Sequence, residues 1–428
     1  MTCISGNFVY DQFTFIRVEH MKSPILLLFI FFTFGISLQA QQQTAQTENK
    51  PIVKRKDARS VDDLKSNPEE ITHVNFSRRN LTSFPLELVK CINIEELTLS
   101  FNEIQSIPDG ISSLKKLKRL LISHNKISSI PEGLGSLTEL EILDISSNPV
   151  NTVPDFSALQ KLKVLNISSL QLTTIPKSIL GLESLNDLNI SNLQLTSFPD
   201  LSQLKNLHSL GIDGSKLTEL PAGIEKLILL RTFSASNNAL TSIPKAVLTL
   251  PALRNLTLSK NAITALPIDI KNAETLFSLD ISGNKLTTVP KELFSLARLQ
   301  NLNLSENQIT SLPNDIPENT IIRELDISYN ALKQLSPGLW KCIKLHKLSI
   351  ENNQLTTLPS GISALKELST FTIGNNPLES IPIKELMMIP SLGDIGLISR
   401  KTIEKKREED RMKQEKEANQ KRELKNAK

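Results

Sequence analysis

Along residues 299–313 the chain reads LQNLNLSENQITSLP, apolar at Leu299, Leu302, Leu304, Ile309 and Leu312 and polar almost everywhere between. Leu302 and Leu304 lie two positions apart, which is the period of a strand with one buried face. The stretch LRNLTLSKNAITALP at 253–267 repeats the pattern, and FSLDISGNKLTTVP stands between the two. The pattern therefore recurs about every 23 residues, within the range of stacked repeat units. The return segment, PKELFSLARL at 290–299, is apolar at helix-like intervals and predicts short helical turns. From Ile71 to Pro382 the unit occurs about fourteen times. One copy cannot bury its leucines alone, so neighbouring copies must stack, with parallel strands on one side and helical turns on the other.

An asparagine closes ten of these strands: Asn102, Asn125, Asn148, Asn238, Asn261, Asn284, Asn307, Asn330, Asn353 and Asn376. A buried amide has to be hydrogen-bonded, and at this position it can reach backbone groups of the adjoining turn. The ladder is thus read as structural rather than as a ligand site. Arg79, Leu170, Leu193 and Ser215 interrupt it. Two repeats in the same region are one residue short, at Pro154-Asp155-Phe156-Ser157 and Pro199-Asp200-Leu201-Ser202. These departures predict a local change of curvature between about residues 150 and 220.

The L-x-x-L-x-L-x-x-N-x-L unit resembles the leucine-rich repeat. The fold class it implies is an α/β solenoid, a leucine-rich repeat horseshoe with parallel strands on the concave face and short helical turns on the convex face. The entry segment carries a closer likeness: Val61-Asp62-Asp63-Leu64-Lys65-Ser66-Asn67-Pro68, then Ile71-Thr72-His73-Val74-Asn75-Phe76-Ser77, then Asn80-Leu81-Thr82-Ser83-Phe84-Pro85. It is similar to exported bacterial leucine-rich repeat proteins of the spirochaete (Leptospira-type) group. These have a signal peptide, a leucine-bearing helix ended by Asn-Pro, and tandem 23-residue repeats. The resemblance spans nearly all of residues 57–382. It implies secretion or surface display, binding of proteins or matrix components, and no enzymatic activity.

The ends of the chain divide further. Residues 1–20 match nothing downstream and are read as an untranslated or non-structural leader. Residues 21–40 open with Met21 and Lys22, continue through an apolar run at 25–36 and end at Ala40, the make-up of a signal peptide. The run is shorter than the roughly 18 residues a spanning helix needs, so no integral span is expected after cleavage. Residues 41–56 are polar and read as a flexible leader. Residues 57–70 predict an N-terminal cap whose helix ends at Asn67-Pro68. Residues 71–382 are the repeat domain and 383–400 a closing cap. Residues 401–428 form a charged tail with opposite charges at four-residue spacing, such as Lys405/Glu409, which favours a solvated helix.

Composition narrows the function. The net charge of +4 arises mainly in that tail, leaving a near-neutral repeat body that lacks a nucleic-acid footprint. Cys91 and Cys342 occupy the place taken by Leu114 and Leu137 in other repeats. About eleven repeats separate them, roughly 50 Å at about 4.8 Å per strand, too far for a disulfide. They read as small buried hydrophobes. No phosphate loop, dinucleotide fingerprint, H-E-x-x-H, G-x-S-x-G or C-x-x-C occurs, and His73 and His124 lie two repeats apart. Neither a catalytic site, a cofactor nor a metal is expected.

Binding must then rest on outward-facing strand positions. Most are Ser, Asn, Thr and Asp, and the exceptions cluster. Arg78, Phe101, Arg119, Leu121, His124, Ile142 and Val164 fall on adjacent repeats; Phe277, Glu306, Arg323 and Tyr329 form a sparser second group. Exposed apolar groups ringed by polar ones mark interaction sites, and aromatic and arginine side chains dominate hot spots. The sequence reading is a monomeric exported scaffold that captures a protein, such as a host surface or matrix protein, from a secreted, periplasmic or cell-surface location. The alternative is an envelope scaffold or intracellular adaptor with no extracellular ligand.

Overall fold

The computed structural model describes residues 56–58, 60–318, 320–392 and 394–395. The signal peptide, most of the leader and the charged tail inferred from the sequence lie outside these residues. Sixteen strands form one sheet in strict sequence order, and every pairing is parallel. They are β1 (Asp57–Ala58), β2 (His73–Asn75), β3 (Glu96–Thr98), β4 (Arg119–Leu121), β5 (Ile142–Asp144), β6 (Val164–Asn166), β7 (Asp187–Asn189) and β8 (Ser209–Gly211). The second half comprises β9 (Thr232–Ser234), β10 (Asn255–Thr257), β11 (Ser278–Asp280), β12 (Asn301–Asn303), β13 (Glu324–Asp326), β14 (Lys347–Ser349), β15 (Thr370–Thr372) and β16 (Asp394–Ile395). Strands β2 to β15 supply the fourteen repeats.

Alternation within each three-residue strand sets the core. The middle residue turns inward, so Leu97, Leu120, Leu143, Leu165, Phe233 and Phe371 are fully buried, while their neighbours face outward. Parallel pairing keeps equivalent residues opposite one another, as with Leu256, Leu279 and Leu302 on β10, β11 and β12. The result is a single apolar column running through the stack.

The return segments are tighter than their apolar spacing suggests. Most are 3-10 turns, such as Leu86–Lys90, Asp109–Ser113 and Lys291–Ser295, and four-residue α-turns occur at Lys177–Leu180, Lys245–Leu248 and Ile383–Leu386. An extended proline precedes most of these turns, and five residues then reach the next buried core residue, Cys91, Leu114, Leu137 or Ala273. A bond from each amide to the carbonyl three residues back, as in Leu88 to Pro85 at 3.1 Å, fits that short run. In the two shortened repeats the helical turn is replaced by an aspartate turn. Asp155 accepts from the Ser157 amide and Asp200 from the Ser202 amide, both at 2.8 Å, while Phe156 and Leu201 still reach the core. Sheet pairing continues through both, Ile142 opposite Val164 and Asp187 opposite Ser209.

At the N-terminal end a helix, α1 (Val61–Ser66), lays Leu64 against the first repeat. Ser60 and Asp63 close a capping box at its start, each side chain bonding the other's backbone amide. The sequence reading placed only helix here. β1 adds a two-residue strand ahead of it, too short for any periodicity to reveal, pairing Asp57 with His73 and covering the sheet edge. At the other end Leu386 and Ile389 are buried and β16 pairs with β15. Among the described residues no helix is long and apolar enough to cross a membrane.

Candidate functional site

The outer surface of the sheet is a grid. Each repeat contributes one residue just before the strand, the first and third strand residues, a residue two positions later that is usually serine, and then a residue in a left-handed turn. The asparagine ladder bonds the backbone around that turn, which Ser169, Asn192 and Gly214 also adopt where no asparagine follows. Asn102 donates to the carbonyls of Phe76 (2.9 Å) and Leu99 (2.8 Å) and accepts from the amides of Arg79 (2.9 Å) and Leu81 (3.0 Å). Two of these partners satisfy the strand end and turn, and all but Leu99 lie in the preceding repeat, so the amide staples neighbours together. Asn125, Asn148, Asn238, Asn261, Asn284, Asn307, Asn330, Asn353 and Asn376 repeat the arrangement. Leu170, Leu193 and Ser215 fill the same place as buried residues, whereas Arg79 is exposed.

The residue before each ladder position carries the side chain outward. It has φ between 53° and 60° at Arg78, Phe101, His124, Glu306 and Tyr329, a conformation that L-residues adopt only when their surroundings hold them there. Its side chain is thrown outward along the flank where the strands end. Because strands are spaced about 4.8 Å apart, planar side chains on successive repeats meet at stacking distance. The Arg78 guanidinium lies 4.7 Å from the centre of the Phe101 ring, and the Phe101 and His124 rings stack at 4.4 Å with 9° between their planes. Phe101 nonetheless remains 44% exposed. The result is a cation–aromatic–imidazole stack across three repeats, with the Phe101 ring covered on both faces and still partly open to solvent.

Beside it, Arg119, Ile142 and Val164 occupy the first position of β4, β5 and β6 and stand opposite one another in register. Leu121 takes the third position of β4, next to Thr98 and Asp144. All four are half-buried. The seven N-terminal candidates therefore share one stretch of sheet, in three parallel columns.

The four C-terminal candidates do not come together. Phe277 and Arg323 precede their strands, and their amides bond the carbonyls of Arg254 and Gln300, both at 2.8 Å. Glu306 and Tyr329 sit past the strand ends in the left-handed turn, on the opposite flank. A six-residue offset within one repeat crosses the whole strand, which proximity in sequence conceals. Sequence reasoning also missed Arg231 and Arg254, which share the Phe277 column; aligning every repeat on the residue before its strand would have found them.

Several carboxyls on the grid are buried. Burial pushes Asp280 and Asp326 above the ordinary carboxylate range, and Asp187 and Asp213 likewise. Asp280 Oδ1 accepts from the Ser282 amide at 2.9 Å, and its Oδ2 is buried without a partner. His73 lines a cavity of about 410 Å³ at the N-terminal end, with Asn75, Arg79 and Glu96, while His124 stays in the stack. Among the described residues no three His, Cys, Asp or Glu side chains converge as metal ligands. Cys91 and Cys342 are free and fully buried.

A leucine-rich repeat family model matches residues 92–150, 274–332 and 297–355. The fold is a leucine-rich repeat solenoid. Solved structures of bacterial and plant proteins are similar to it. A leucine-rich repeat protein of Leptospira interrogans is 26% identical, with TM-score 0.54, over 80% of this chain and 99% of that one. YopM, a leucine-rich effector protein of Yersinia pestis, is 26% identical with TM-score 0.61, over 76% and 82% of the two chains. The Arabidopsis receptor kinase HAESA, solved with the peptide hormone IDA and the co-receptor SERK1, is 26% identical with TM-score 0.55, over 77% and 66%. No curated protein sequence matches the chain. The leucine-rich repeat fold supports a protein-binding scaffold in general terms.

Proposed function

We propose that this chain is an exported, non-enzymatic bacterial scaffold that captures another protein on its strand-lined face, centred on the Arg78–Phe101–His124 stack. The carrying observation is Phe101: a large aromatic ring held open to solvent by a left-handed backbone and braced on both faces. A pre-ordered ring loses little freedom on binding, which is what makes aromatic anchors effective. Arg119, Leu121, Ile142 and Val164 extend the anchor into a half-apolar surface. The apolar run at 25–36 and Ala40 support export, and the likeness to the Leptospira protein supports a bacterial origin. A host surface or matrix protein is the ligand class that fits such a location.

The test uses immobilised protein exposed separately to host-cell surface extract and to the organism's own envelope. Replacing Phe101 and Leu121 with Ser lowers affinity for the captured host partner by about thirtyfold or more, the loss of a hot spot, with an unchanged circular dichroism spectrum. Undiminished capture by the double variant, or capture only from the organism's own envelope, refutes the proposal. Protease treatment of intact cells checks location: the protein is removed if displayed and spared if internal.

A further inference from the structure

The flank opposite Phe101 holds a second pattern. In the N-terminal repeats the residues just before the strands alternate in sign and neutralise each other: Lys118 pairs with Glu95 at 2.7 Å, and Lys163 with Glu141 at 2.8 Å. From β9 to β13 the same column reads Arg231, Arg254, Phe277, Gln300 and Arg323, with no acidic member, before His346 and Ser369 continue it. The amides of Arg254, Phe277, Gln300 and Arg323 each bond the carbonyl of the column's preceding member at 2.8–2.9 Å, so the five residues are true neighbours. Arg231 and Arg254 are exposed, and neither guanidinium has an ion pair or hydrogen bond among the described residues. Thr232, Asn255 and Ser278, the strand positions beside them, carry no charge. Arg323, at the far end, lies near a carboxylate, Glu367.

We infer that this flank is a docking strip for an acidic segment of another protein, whose Asp or Glu carboxylates engage Arg231 and Arg254 while an apolar group packs on Phe277. Guanidinium forks match carboxylates in two-point geometry. Four strand steps of about 4.8 Å each carry the strip over roughly 19 Å, the length of a short extended peptide. Three arginines over that length, flanked by neutral polar strands, fall short of the charge density a nucleic-acid backbone presents. The strip goes beyond the Phe101 surface, standing across the sheet from it and in later repeats.

The experiment measures binding of fluorescein-labelled hexaglutamate to the full-length protein at low ionic strength, with hexaglutamine and a twelve-residue oligothymidylate for comparison. Hexaglutamate binds, hexaglutamine does not, and Arg231→Gln with Arg254→Gln weakens binding about tenfold, the loss of two exposed charge pairs. Phe277→Ala weakens it less. Arg119→Gln and Phe101→Ser leave it unchanged, so failure here and failure of partner capture at Phe101 are separate results. All these side chains lie outside the core, and circular dichroism verifies that each variant is folded. Equal affinity in the double arginine variant, equal binding of hexaglutamine, or tighter binding of the oligothymidylate overturns the inference.

Discussion

Replacing Asn284 with Ala tests whether the asparagine ladder holds repeats together. Its side-chain amide donates to the carbonyls of Leu258 (3.0 Å), Ile281 (3.0 Å) and Ser282 (3.1 Å) and accepts from the Ile263 amide at 3.0 Å. Leu258 and Ile263 belong to the preceding repeat, so two of the four bonds cross the interface. Alanine leaves the Ile263 N–H without another partner, and Ile263 is fully buried. One orphaned buried donor costs about 1–3 kcal/mol. Adding weakened bonding at the three carbonyls brings the loss to about 2–4 kcal/mol. Leucine, which the chain itself carries at positions 170 and 193, restores packing but not the bonds. Aspartate keeps the acceptor for Ile263 yet aims a carboxylate at three carbonyls. Its folded pKa is therefore raised, its penalty is full at neutral pH, and it recovers as pH falls and the acid protonates. Urea unfolding supplies the measurement, with amide exchange at Ile263 as the local readout and Asn301→Ala, whose side chain makes no hydrogen bond among the described residues, as control. A cost for Asn284→Ala within about 0.5 kcal/mol of that control would refute the reasoning.

Two other predictions follow from burial. Asp280 has its carboxyl pushed above the ordinary range chiefly by burial, with Asp326 adding to the shift. A group with a raised folded pKa stabilises fully only below its unfolded value and loses that contribution as pH rises through the folded value. Asp280→Asn therefore melts higher than wild type at neutral pH, and the gap closes on acidification; Asn166, Asn189 and Asn303 already occupy the same column. No gain at neutral pH would show that the carboxylate finds compensation. Burial also pushes the Cys342 thiol up to about 12, and that of Cys91 upward. Neither reacts with Ellman's reagent under native conditions at mildly alkaline pH, and both react in denaturant; prompt native labelling of either contradicts their burial.

Much of the stack was legible because its causes are local. Leucines two apart make a half-buried strand wherever they occur, and the period of about 23 residues places each copy opposite the last. The asparagine positions followed from the need to satisfy a buried amide. The helical turns were only partly legible: apolar spacing indicates a turn but cannot separate a 3-10 turn from an α-turn when the run is five residues long. The first strand, Asp57–Ala58, carries no pattern of its own and exists because an uncovered sheet edge was available to pair with.

For the candidate sites the division is sharper. The sequence alone determined that the outer face is not uniformly polar, since a lone Phe or Arg among serines stands out against the repeat pattern. It could not decide which of these residues touch. Phe101 and His124 lie 23 positions apart and stack only because strand spacing matches ring-stacking distance and both residues adopt the same left-handed turn. Phe277 and Tyr329 looked like companions and stand on opposite flanks, while Arg231, Arg254 and Phe277 share one column. Adjacency across repeats is a property of register, and register becomes physical only when the strands have paired.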